Sequence, residues 1–97
     1  MANNIDDQFY DRADEIIHLA NRQLGSATRG KVSASCMYAT ARFNSWVSAN
    51  GFESGEAMRE AKAETIAYFV EQYRSMLDEN LTDYIDNFDK YMRPGEA

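Results

Sequence analysis

The chain has 97 residues, of which 44% are apolar and 12% aromatic, with a formal net charge of -6. That length leaves room for one core, and chains of this size bury roughly 60–70% of their unfolded surface, so the fold needs neither a disulfide nor a metal. The acidic balance argues against nucleic acid and against an anionic membrane surface, because phosphate affinity rests on clustered Lys and Arg.

The single proline, Pro94, stands near the end, and nothing from Ala2 to Arg93 forbids helix. β-branched residues are too scattered for a sheet. The first predicted element runs from about Asn4 to Leu24, where Phe9, Ala13, Ile16, Ile17, Ala20 and Leu24 recur on one helical face. Asn3 or Asn4 suits its N-cap, Asp6 and Asp7 suit the positive end of the dipole, and Gly25 suits its end.

After the linker 25–31, a second helix carries Val32, Cys36, Ala39, Phe43, Trp46 and Asn50 at steps of three and four. Its other side carries Ala34, Tyr38, Ala41, Ser45 and Ser48, a mostly small stripe that allows close approach, so cover on two sides is expected. Gly51 ends this helix and Ser54 caps the next. From Glu56 to Met92 there is no glycine or proline, and Ile66, Val70, Tyr73, Leu77, Leu81, Tyr84, Phe88 and Tyr91 repeat at helical steps. A continuous helix here would span roughly 55 Å at 1.5 Å per residue. It would leave the apolar residues after Leu81 without intramolecular cover, so either the helix bends or another chain covers them. A break is expected near Asn80, which tolerates a helix end and can cap a new helix, with Asp83 three residues on.

The pattern Gly25-x-x-x-x-Gly30-Lys31 matches a phosphate-binding loop up to the magnesium-ligating hydroxyl, where Val32 stands instead. The preceding strand and the second acidic strand that this chemistry needs are also not visible, so the sequence reads as an interhelical loop, with at most a weak anion site at Lys31. Asp14 and His18 lie one turn apart on the polar side of the first helix. They can offer two metal ligands, but a firm site needs three or four, and a solvated face is the ordinary reading. Glu15 and His18 form the Glu-x-x-His spacing only once, which does not make a di-metal bundle.

Cys36 lies in an apolar stripe with no basic residue in the same turn to activate it, so it reads as a small hydrophobe, and Phe43 and Trp46 read as core. Glu60, Glu64, Glu71 and Asp78 are spread over five turns and read as solubility. Arg59 and Lys62 fall on an apolar side, which suggests either snorkelling or an ion pair with a neighbouring helix. Tyr38 and Tyr68 project from polar faces, where aromatics often mark protein contacts.

Three stretches carry a resemblance: Arg12–Asn21, Arg29–Ser35 with Ala39–Asn44, and Glu64–Arg74 continuing to Asp89. Together they resemble a family of short bacterial proteins catalogued only as a domain of unknown function. The resemblance implies a stand-alone bacterial protein and brings no activity, cofactor or catalytic residue with it.

The expected fold is all-α, an antiparallel bundle of three long segments with room for a short fourth helix, forming one domain over 1–92 with a disordered tail at 93–97. A cytoplasmic location is expected: the first residues lack an export signal, no run approaches ~18 apolar residues, and a lone cysteine suits a reducing compartment. No catalytic residue, metal ligand or cofactor is assigned, and neither nucleic acid nor membrane is expected as a partner. The leading functional expectation is a non-enzymatic interaction protein that pairs as a homodimer or with another protein. The alternative is a metal-assisted or acid-base enzyme using Asp14 and His18 with carboxylates from another helix.

Overall fold

The computed structural model describes residues 4–96, with side chains to Gly95, and every regular element within them is helical. In chain order these are α1 (Phe9–Gln23), α2 (Arg29–Ala49), α3 (Gly55–Glu60), α4 (Lys62–Asp86) and α5 (Phe88–Met92), followed by one 3-10 turn at Pro94–Glu96 where the sequence suggests a disordered tail. Two compact units divide within α2, one up to Val47 and the other from Ser48 onward.

In the first unit, α1 begins four or five residues later than the periodicity suggests. Gln8 occupies the N-cap without a side-chain bond, and Asn4 is not the cap; Asn3 lies outside the described residues. Asp6 sits before the helix and accepts two hydrogen bonds from Arg12, the shorter 2.8 Å. That bond holds the Asp6 carboxyl below its ordinary range and raises the Arg12 guanidinium. The helix ends as the sequence suggests, with the Gly25 N–H donating to the Arg22 carbonyl. Thr28 then caps α2, its hydroxyl accepting from the Lys31 N–H at 3.3 Å.

The second unit opens on the predicted cap: the Ser54 hydroxyl accepts from the Ala57 N–H at 3.1 Å. The expected break at Asn80 does not occur. Asn80 donates to the Met76 carbonyl at 2.7 Å, a bond back onto its own helix, and α4 runs through it unbroken. The interruptions fall at Ala61 and Asn87 instead.

At Ala61, one carbonyl accepts both the Thr65 N–H and the Thr65 hydroxyl, each at 2.9 Å, and this back-bonding bends helices. At Asn87, the side-chain amide donates to both the carbonyl and the carboxylate of Asp83, at 3.0 and 2.9 Å. The Tyr91 hydroxyl donates to the same carboxylate at 3.0 Å, so a single acid ties α5 back to α4. The Tyr84 and Tyr91 rings meet with centroids 4.8 Å apart.

Asp83 also holds the Tyr91 phenol above its ordinary value, because the carboxylate accepts the phenolic proton and opposes phenolate charge. A raised phenol favours the folded state fully below the unfolded value and loses that contribution as pH rises through the folded one. Asp83→Asn is therefore expected to move Tyr91 ionisation to lower pH, read from its ring resonances during alkaline titration. An unmoved titration would show that the bond does not hold in solution.

Candidate functional site

The residues the chain covers for itself are few. Among the described residues Val32 is the one buried hydrophobic side chain, 6% exposed. Cys36, one turn later on α2, is half-buried, as are Phe9, Ala13 and Ala20 on α1. In the second unit the half-covered line runs through Ala57, Ala61, Thr65, Phe69 and Gln72. At 100° per residue that line lies about a third of a turn away from the apolar stripe of α4.

The stripe itself faces solvent. Ile66 is 52% exposed, Leu81 54% and Phe88 50%, and Val70, Tyr73, Leu77, Tyr84 and Tyr91 are exposed with them. Phe43 and Trp46, which the sequence assigns to the core, are exposed on α2 with ring centroids 5.8 Å apart. Helical periodicity reports that a face is apolar but not what covers it, which is why core and interface read alike. Tyr38 and Tyr68 are exposed as expected, and Tyr68 packs edge-on to Phe69 at 5.1 Å. Of the small-residue side of α2, Ser45 bonds back to the Ala41 carbonyl at 2.8 Å and Ser48 is half-buried.

The candidates for chemistry are not brought together. Asp14 and His18 are exposed on α1, and no three His, Cys, Asp or Glu side chains converge as a metal site among the described residues. Arg59 pairs with Glu56 one turn earlier on α3 rather than with a neighbouring helix. Glu71 lies 3.6 Å from Arg74, also within one helix and exposed. Glu60, Glu64 and Asp78 are exposed as well.

Gly30 and Lys31 lie within the first turn of α2, and the preceding element is a helix. Val32, at the position of the missing hydroxyl, is the buried residue of the unit, so a hydroxyl there would lose burial and gain no metal. Val32→Ser, which completes the loop motif on paper, is expected to destabilise the fold by about 1–2 kcal/mol and to create no nucleotide binding. A magnesium-nucleotide-dependent rise in its melting temperature would contradict this.

With this geometry, the comparisons with known proteins agree on family and fold. The family described as "Protein of unknown function (DUF3144)" matches residues 9–85. The chain belongs to that family. It is also similar to the NMR structure of the protein NB7890A from Shewanella sp., with 46% identity over 91% of this chain and 94% of that one, at a TM-score of 0.76. No curated protein matches the chain. The matched region of the DUF3144 chain takes in α1, α2, α3 and nearly all of α4, and so most of the exposed stripe. No helix among the described residues is long and apolar enough to cross a membrane.

Proposed function

We propose that this DUF3144 protein is a cytoplasmic, non-enzymatic interaction module that self-associates, so that the antiparallel bundle expected from the sequence is completed between two copies. The exposed apolar stripe of α4 and α5 carries this reading. Contiguous apolar patches of more than a few hundred Å² are uncommon on monomers and mark contact surfaces.

The single cysteine suits a reducing interior, where no disulfide is needed to hold the pair.

Sedimentation equilibrium tests the reading. The expected result is a species of twice the 11.1 kDa chain mass at micromolar concentration. A strict monomer at high micromolar concentration overturns it.

A further inference from the structure

The chain from Glu56 to Met92 holds neither glycine nor proline, and no described residue adopts a positive φ. Nothing in the backbone chemistry therefore forces a helix to stop at Asn87. Yet Asn87 stands at φ -122° and ψ 30°, well away from the roughly -63° and -42° of a helix. Helical hydrogen bonding persists on either side of it. The Asn87 N–H donates to the Asp83 carbonyl at 3.0 Å, and the Tyr91 N–H donates to the Asn87 carbonyl at 3.1 Å. The junction is one displaced residue between two helices rather than a loop.

We infer that this junction is a two-position hinge latched by Asp83: with Tyr91 bonded to that carboxylate the helix kinks at Asn87, and on release α4 runs on through Met92 as one straight helix. Residues on a straight helix meet when they are three or four apart. Eight apart, they are separated by about 12 Å along the axis and by about 80° around it. The Tyr91 hydroxyl nevertheless reaches the Asp83 carboxylate at 3.0 Å. That bond and a straight axis exclude each other. The Asn87 amide donates to the same carboxylate at 2.9 Å, so the displaced residue is itself part of the latch.

Release has a defined result. On a straight helix Tyr91 lies about 20° from Tyr84 and about 40° from Leu77, and so on the apolar stripe, at 100° per residue. In the kinked form its hydroxyl is turned to Asp83 on the polar side instead. The latch thus sets how far the stripe extends: it stops at the kink when closed and continues in line through Phe88 and Tyr91 when open. Every group the hinge uses lies between Asp83 and Tyr91, so it works the same in a single chain or a pair.

NMR of the full chain tests the hinge, with Tyr91→Phe and Asp83→Ala as variants. Tyr91→Phe is the sharper of the two, because it removes one hydroxyl and keeps the ring. The readout is the three-bond coupling between the amide and Hα protons of Asn87, which follows φ directly. The expected wild-type coupling is large. In both variants it should fall to about half as φ moves toward about -63°. Helical Cα shifts should then become continuous from Lys62 to Met92.

An unchanged coupling in Tyr91→Phe overturns the latch, since something else then holds the kink. A small coupling already in the wild type overturns it too, because the helix is then straight without release. Loss of the helical shifts over residues 88–92 in the variants overturns the second position, leaving Asp83 as a guard against fraying. Should Asp83→Ala fail to fold, Tyr91→Phe decides alone.

Discussion

Leu81→Glu is expected to raise the dimer dissociation constant by about a thousandfold or more, read by sedimentation velocity across a dilution series. Leu81 is 54% exposed on the apolar stripe of α4, and each homodimer contains the substitution twice. Burying one leucine contributes about 1.5–3 kcal/mol, and two such losses of about 2 kcal/mol each already correspond to roughly a thousandfold in affinity. Two carboxylates forced into an apolar seam add a desolvation penalty on top. Leu81→Ala removes only the burial and should fall well short of this. Glu64→Gln, on the far side of α4, should leave the dissociation constant within about twofold, because exposed charges away from a contact contribute little. If Leu81→Glu dimerises like the wild type, α4 does not form the contact surface.

Much of the architecture was legible as helical period, and what was not legible has identifiable causes. Ser54 announces its cap because a hydroxyl before a helix has one obvious use, and Gly25 and Gly51 stand where the chain turns. Asn80 and Asn87 are chemically the same and were not separable by sequence. Both send an amide back to a carbonyl one turn earlier, but only Asn87 also engages the Asp83 carboxylate that Tyr91 shares, and there the helix breaks. Ala61 gave no warning at all, since no glycine, proline or capping residue in the sequence marks the interruption there.

The assignment of Phe43 and Trp46 to a core failed for a broader reason. A greasy face is equally greasy whether its cover comes from the same chain or another, and the spacing of its residues is the same in both cases. The half-covered line of Thr65, Phe69 and Gln72 was missed for the converse reason, because it is too polar to stand out beside the stripe of Ile66, Val70 and Tyr73.

The melting temperature is expected to rise with protein concentration, by about 3 °C for each tenfold increase, with helicity lost in the same transition. The ordering cost explains why. Fixing the backbone costs about 1–2 kcal/mol per residue, so a chain of this length must recover on the order of 100 kcal/mol, chiefly by burying apolar surface. A copy whose described residues include one buried hydrophobic side chain, Val32, has little to set against that cost. In proteins most helical stability comes from a packed amphipathic face rather than from intrinsic propensity. Folding and pairing should therefore be a single equilibrium, as in obligate homodimers without a stable monomer. A tenfold rise in concentration then contributes about 1.4 kcal/mol to the folded pair, and dividing by the unfolding entropy of two chains gives the stated shift. Circular dichroism melts over a hundredfold concentration range would show a displacement of about 6 °C. Superimposable curves would mean that each chain holds its helices by itself, and the exposed stripe would then need a different explanation.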